Sequence, residues 1–374
     1  MHILHICSDY SNQKLYYDLI SSLDSFGIEQ TVYVPVRTLN EIGKNEFTGS
    51  SRVHYIYSHI LSPHHRLFFK NKIKTVFEDL KSSVDLFEIN FIHTHYLFSD
   101  GAVALEIKKE FGIPFITSVR STDLNYFFPL RPDLRKIGKK VINESVGVIF
   151  LSEPYKKMLQ DSYLNRFESE ELNRKSHVIP NGLSSFWHMN KYDVVRMRAN
   201  SIKLIYVGSF IRRKKVDSLL EVCRELNISI KVELTLVGGG GSHSNKIHRI
   251  LKNPAYSFVK FVPWLDDQVT LRDYYRANDI FVMISQNETF GLVFAEALSQ
   301  GLPIIYSKTA GIHGHLVEEH IGKAVDPTDL NDIKSGILQV ANDLELISGS
   351  VANKIGYFNW QSIAQRYIDI YQTY

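Results

Sequence analysis

Short β-branched runs recurring with amphipathic segments between them restrict what this chain can fold into more than any other feature. In the first half the runs fall at residues 2–8, 30–35, 91–95, 114–119, 147–151 and 176–180. A second series occupies 202–208, 231–237, 259–262, 280–285 and 303–306, with helical patterns such as 217–226 and 268–278 between its members. Strands alternating with helices build a parallel sheet covered on both faces. A chain of 374 residues, 44% of them hydrophobic, can bury more than one core, and such a length favours two domains. The expectation is therefore α/β: two doubly wound parallel-sheet domains, 1–190 and 191–359, with a helical pattern over 360–374 after the second series ends. Residues 181–199 carry turn formers and little strand pattern, and read as the linker.

Composition excludes several classes. A net charge of +3 gives no general case for nucleic acid. Cys7 and Cys223 are far apart and make neither a disulfide framework nor a zinc motif. The sequence starts directly on an apolar alternation, and no apolar run approaches the roughly 18 residues that cross a bilayer. A cytoplasmic protein is the expectation. Residues 63–74, PHHRLFFKNKIK, mix cations with Leu67, Phe68, Phe69 and Ile73. That blend suits peripheral contact with an anionic membrane surface, or equally a surface helix with a packed aromatic face.

In doubly wound sheets ligands gather outside the carboxyl ends of strands, and a cleft between two domains is a favoured pocket. Ser8, His95, Arg120, Ser152, Asn181, Gly208, Gly238, Glu288 and Gly311 all sit at or just after expected strand ends. The most informative segment is NETFGLVFAEALSQGLP, residues 287–303, which places Glu288 at a strand-to-helix turn and Glu296 about two turns into the following helix. Eight helical positions span about 12 Å, whereas a hydrolase pair flanks one bond at about 5–10 Å. Two separate hydroxyl clusters on one long ligand fit better, and a sugar nucleotide is such a ligand.

After the strand 202–207 comes GSFIRRKKVDSLL, with Arg212, Arg213, Lys214 and Lys215 in succession. A run of cations is often only a solvated face. At a strand end, in the same half as the two glutamates, it suits a diphosphate whose charge grows as it leaves; Lys214 is the first choice and Arg213 the second. The glycines of LVGGGGSHS, Gly238 and Gly239 among them, allow close backbone approach to a ligand, or form an ordinary flexible turn. They do not match a dinucleotide fingerprint. The N–H groups opening the Glu296 helix form an anion site, so both phosphates could be held without metal. No two aspartates are separated by a single residue, so the acidic metal triplet of other sugar-nucleotide enzymes is missing.

In FIHTHYLFSDG, His93 and His95 have no third zinc ligand at a suitable spacing. One of them is expected to be packed structurally, and His95, near the strand end, to reach the cleft. Arg120 and Asp123 in SVRSTDLN follow another strand, where a turn ion pair is the plain alternative.

Taken together these segments resemble the retaining glycosyltransferases of family 4, whose fold is the two-Rossmann GT-B arrangement facing a central cleft. The resemblance is strongest from Val259 to Ile305, where Glu288 and Glu296 fill both acidic places of an E-x7-E motif, and it extends to VIPNGL with Asn181, to YVGSFIRRKKVD and to the closing FNWQSIAQRYIDIY. It implies that the first domain, 1–190, takes the acceptor and the second, 191–359, the nucleotide-sugar donor, and that the last helix, 360–374, packs back on the first domain. It also implies that Glu288 touches the donor sugar, Glu296 the ribose and Lys214 the diphosphate. Gly208, Ser209, Thr289 and the backbone of Phe290, Gly291 and Leu292 would line the donor, with Pro263 and Trp264 near the base. Ser209 stands where the family often has arginine, so Arg213 is expected to supply that charge. Arg120 and Ser121 replace a frequent His-Gly, which leaves the acceptor-side chemistry open around His95, Arg120 and Asp123. The expected activity is metal-free, retaining transfer from a UDP- or GDP-sugar, the only co-substrate, to a glycan or lipid-linked acceptor in bacterial surface polysaccharide synthesis. A sugar-nucleotide epimerase and a non-catalytic sugar-nucleotide or glycan binder are the alternatives.

Overall fold

The computed structural model describes residues 1–197 and 200–374. Arg198 and Ala199, the end of the expected linker, lie outside the described residues. Two compact units are present. The first comprises Met1–Leu151, Tyr155–Gly182 and Trp360–Tyr374, and the second Ser152–Pro154 and Leu183–Asn359.

Unit 1 is built on a seven-stranded sheet of β1 (His2–Ile6), β2 (Glu29–Val36), β3 (Val53–His59), β4 (Phe91–Thr94), β5 (Phe115–Val119), β6 (Gly147–Phe150) and β7 (Ser176–Val178). The strands lie in the order β3, β2, β1, β4, β5, β6, β7, all parallel, so the order reverses between β1 and β4. Side chains of a strand alternate between faces, and β1 shows the consequence: Leu4 and Ile6 join the core under the helix Phe69–Ser83, while Ile3 joins the core of the opposite face. Residues buried on both faces explain why these strands read as nearly continuous apolar runs.

The opposite face is closed by the C-terminal helix Trp360–Thr373. Trp360, Ile363, Tyr367 and Tyr371 pack with Ile3, Phe91, Ile116 and Ile149, each such burial worth about 1.5–3 kcal/mol. A glycine is required at 182, because a Cβ there would fall 2.3 Å from the Trp360 ring. β3 was not expected from the sequence. It is an edge strand paired only with β2 and half-exposed, so polar His54, Ser58 and His59 break the apolar run that marks the inner strands.

Unit 2 carries six parallel strands: β8 (Ser201–Gly208), β9 (Lys231–Gly238), β10 (Val259–Val262), β11 (Ile280–Met283), β12 (Ile304–Ser307) and β13 (Gly322–Val325). Their order is β10, β9, β8, β11, β12, β13. β13, four residues including a glycine and a lysine, also escaped the sequence pattern. The reversal here lies between β8 and β11, and the turns that leave these two strands carry the cationic run and Glu288. Ligands of doubly wound sheets bind at such a reversal.

Candidate active site

Past β8 the chain makes a short turn, Arg212–Lys214, and Lys215 adopts a left-handed conformation (φ 53°) before the helix Val216–Leu226. Past β11, Asn287 is left-handed as well (φ 53°), and Gly291 (φ 72°) caps the helix Leu292–Ser299. The turns are tied together by the N–H of Gln286, which donates to the Arg213 carbonyl at 2.8 Å. Lys214 Nζ then reaches Glu288 Oε2 at 2.5 Å, and Arg213 donates to the same oxygen at 3.2 Å. The side chains of Lys214 and Glu288 are almost fully buried, whereas Arg213 is 40% exposed. Burial holds the Lys214 amine below the ordinary lysine range, Arg213 adds to this, and Glu288 opposes it. One carboxylate facing two cations leaves a local excess of positive charge.

Glu288 is fixed through its backbone. The N–H of Gly311 donates to the Glu288 carbonyl at 2.8 Å, and a Cβ on Gly311 would lie 1.9 Å from the Thr289 carbonyl oxygen. Phe290 is buried, its ring against His315 and Phe358, which anchors the turn beside Gly291 and Leu292. Thus Glu288, Thr289, Phe290 and Gly291 form one turn that leads into the helix at Leu292, with Lys214 and Arg213 clamped on its acidic residue.

Glu296 lies one turn into its helix, not two, because the left-handed Gly291 prevents the helix from starting nearer Glu288. Its Oε2 accepts from the Tyr275 hydroxyl at 3.1 Å. No cation pairs with it among the described residues, and burial pushes its carboxyl up to about 7.

The glycine turn is a backbone device. Gly208 and Gly238 are register partners at the ends of β8 and β9, and a Cβ on Gly238 would meet the Gly208 carbonyl oxygen at 2.0 Å. Gly239 follows at φ 142°. The Phe210 N–H donates to the Gly240 carbonyl at 3.0 Å and the Tyr206 hydroxyl to the Ser209 carbonyl at 3.0 Å, so the turn and the segment after β8 brace each other. Pro263 and Trp264 are exposed, with Trp264 Nε1 donating to Asp266. A concavity of about 700 Å³ between the helix Gln268–Arg276 and the face of β8, β9 and β10 is lined by none of Glu288, Glu296, Lys214 and Arg213.

The remaining predicted residues, His95, Arg120, Asp123 and Asn181, belong to unit 1. His95 is buried rather than open, in contrast to the sequence expectation, because Tyr16 packs against its ring and Arg120 Nε donates to its carbonyl. Arg120 and Asp123 do not form a side-chain ion pair. The guanidinium turns to His95 and, at 3.2 Å, to Asn181 Oδ1, while the Asp123 carboxylate accepts the N–H groups of Leu97, Phe98 and Arg120. Burial pushes Asp123 up to about 6 against these hydrogen bonds. Asp123 therefore stitches the loops after β4 and β5 together.

Sequence reasoning missed His5. It is the register partner of His93 across β1 and β4, and the ring nitrogens of His5, His93 and His95 lie within 4.8 Å of one another. A third imidazole thus exists where linear spacing offered none. Part of the set is used internally: His5 Nδ1 and His95 Nε2 share a hydrogen bond at 3.2 Å and His93 Nδ1 meets the Tyr371 hydroxyl at 2.7 Å, whereas His5 Nε2 and His95 Nδ1 are buried with no hydrogen-bond partner among the described residues. Burial holds all three rings neutral, and Arg120 disfavours added positive charge on His93 and His95. The basic segment 63–74 divides likewise. Phe69, Lys72 and Ile73 are buried, whereas Leu67 and Phe68 are exposed. Among the described residues no helix is long and apolar enough to cross a membrane.

Two doubly wound parallel-sheet units, of seven and six strands, are the architecture of the GT-B class, and solved structures of that class match this chain. Two family models match in succession, Glycosyltransferase Family 4 over residues 13–185 and Glycosyl transferases group 1 over 193–348. The chain belongs to glycosyltransferase family 4. It is 27% identical over 305 residues to D-inositol 3-phosphate glycosyltransferase 2 of Catenulispora acidiphila, covering 75% of this chain and 70% of that protein. A lipopolysaccharide core biosynthesis glycosyltransferase, LpsE of Rhizobium meliloti, is 27% identical over 177 residues, 46% of this chain and 50% of its own. The solved structure of HepE from Anabaena in complex with UDP-glucose superposes over 100% of both chains with a TM-score of 0.68 at 15% identity.

Proposed function

We propose that this glycosyltransferase moves a sugar from a UDP-sugar to a hydroxyl of a glycan or lipid-linked acceptor, with retention of anomeric configuration and without metal, in bacterial surface polysaccharide synthesis. The observation that carries the reading is the clamp of Lys214 and Arg213 on Glu288. A diphosphate entering beside the clamp meets its excess positive charge, and Glu288 turns to the hydroxyls of the sugar. As the anomeric C–O bond breaks, the electron pair passes to the leaving diphosphate, whose new charge Lys214 and Arg213 stabilise. The acceptor oxygen bonds to the anomeric carbon from the same face, and its proton goes to the leaving phosphate oxygen. Glu288 is not required as a nucleophile, since its Oε2 is already held by both cations. UDP as the nucleotide is supported by the HepE complex, and a surface glycan by the lipopolysaccharide relative.

The test begins with UDP- and GDP-sugars screened by thermal shift, since a true donor raises the melting temperature by mass action. Transfer is then followed by NMR, which reports the anomeric configuration of the product. Lys214→Ala is expected to slow turnover roughly hundredfold, about 3 kcal/mol, with chelator leaving the wild type unchanged. A loss below threefold removes Lys214 from this role, and an inverted product removes the retaining mechanism.

A further inference from the structure

Unit 1 contains a second concentration of cations that the donor chemistry does not use. A cavity of about 250 Å³ opens where β1 and β2 end, lined by Ser8, Asn12, Arg37, Arg66 and Lys72, with Asp9 and Glu41 at its wall. Arg37 follows β2, Arg66 ends the turn Pro63–Arg66, and Lys72 belongs to the helix Phe69–Ser83. Segments distant in sequence therefore place three positive side chains around one small space.

The carboxylates at the wall are engaged elsewhere. Glu41 Oε2 accepts the backbone N–H groups of Arg37 and Thr38, both at 2.8 Å. Asp9 accepts the Tyr96 hydroxyl at 3.0 Å and the Asn12 amide at 2.9 Å. Arg37 donates to the Ser62 carbonyl and Lys72 to the Ser99 hydroxyl, each at 2.9 Å. Among the described residues none of the three cations lies in an ion pair with a carboxylate. They also disturb one another. Burial comes first in lowering both Arg37 and Lys72; Arg66 lowers Arg37 further while Glu41 opposes it, and Asp100 raises Lys72 more than Arg37 lowers it. Carboxylates therefore offset part of the repulsion among the three cations without closing an ion pair on any of them, and an arriving anion relieves the part that remains.

We propose that this cavity holds a phosphate group of the acceptor, so that the enzyme acts on a phosphorylated acceptor. Two guanidinium forks and an ammonium suit the several oxygens of a phosphate. The volume is below the range typical of whole small-molecule ligands, so it suits one charged group of a larger molecule. The proposal rests on the reading of unit 1 as the acceptor side. The phosphate can come from a soluble sugar phosphate or from a lipid-linked phosphate headgroup, and the exposed Leu67 and Phe68 directly after Arg66 offer a shoulder for an acyl or isoprenyl chain.

The experiment uses the full chain and inorganic phosphate, with binding read by calorimetry. Arg66 is exposed at the end of its turn, so Arg66→Ala is the principal variant. It is expected to weaken phosphate binding about tenfold. Lys70→Ala, outside the cavity, controls for general charge and is expected to bind phosphate within twofold of wild type; the titrations are run with UDP present, so that the donor cations are occupied. Cosedimentation with vesicles of phosphatidylcholine containing phosphatidic acid, lost in Arg66→Ala, assigns the lipid source. Phosphate binding without cosedimentation assigns the soluble one. If the wild type binds neither probe, or Arg66→Ala binds both as the wild type does, the proposal is overturned. UDP-sugar thermal shift on the same proteins separates the two readings: its absence in the wild type removes the proposed donor chemistry while an Arg66-dependent phosphate result stands.

Discussion

Replacing Glu296 by glutamine should make the unliganded protein more stable and its donor binding weaker. The Glu296 carboxyl stands at about 7 against its ordinary 4.5 because burial penalises the charged form. A carboxyl whose folded value is raised binds its proton more tightly in the native state. Its cost is therefore absent below pH 4.5, grows as pH rises, and is complete above about pH 7. The full difference corresponds to about 3 kcal/mol, reduced to about 2 by solvent screening of a half-buried group. Glutamine keeps an oxygen for the Tyr275 hydroxyl but cannot ionise. Denaturant unfolding of both proteins, run at pH 4.5 and pH 8, isolates this one group, since every other titration cancels in the difference. Glu296→Gln should match the wild type at pH 4.5 and exceed it by about 2 kcal/mol at pH 8. UDP affinity, measured at pH 8, should fall in the variant, because a ribose hydroxyl donates better to a carboxylate than to an amide oxygen. A gain that is equal at both pH values would refute the argument from ionisation, and unchanged UDP affinity would refute the ribose assignment.

Gly311→Ala drives a Cβ against the Thr289 carbonyl and displaces the turn that presents Glu288; turnover should fall roughly hundredfold with unchanged circular dichroism, and near-normal turnover would show the turn to be adaptable. Tyr371→Phe removes the partner of buried His93 Nδ1 and should cost about 1–3 kcal/mol in denaturant unfolding, while leaving the UDP melting shift intact. Arg213, being 40% exposed, should matter less than Lys214: Arg213→Ala is expected to slow transfer by about tenfold, and a loss as large as that of Lys214→Ala would mean that the two cations act as one unit.

The inner strands and the turn chemistry were legible because burial on both faces writes long apolar runs, and because Glu288 and Lys214 follow strands directly. Partly exposed or very short strands leave no such run, which hid β3 and β13. Contacts set by sheet register were also invisible. Nothing in the linear order joins His5 to His93, or Arg37 to Arg66 and Lys72, yet parallel pairing of β1 with β4 and β2 with β3 brings each group together. The segment 63–74 shows the same limit: its mixed composition did not reveal that Lys72 turns inward while Leu67 and Phe68 face outward.

The two glutamates, eight positions apart, stand in different electrostatic surroundings, and this bears on how one ligand could engage both. Glu288 lies against two cations, whereas Glu296 has no cation among the described residues and is pushed toward its protonated form by burial. A diphosphate competing for Lys214 would release Glu288 from its strongest partner as the sugar arrives. At the other end, hydroxyl donors reaching Glu296 would favour its ionised form and lower its proton affinity. Binding should therefore release protons near neutral pH. Calorimetry in buffers of different ionisation enthalpy reads that release directly. It should vanish in Glu296→Gln and persist in Glu288→Gln; the reverse pattern would exchange the roles of the two carboxylates, placing Glu288 at the ribose and Glu296 at the sugar.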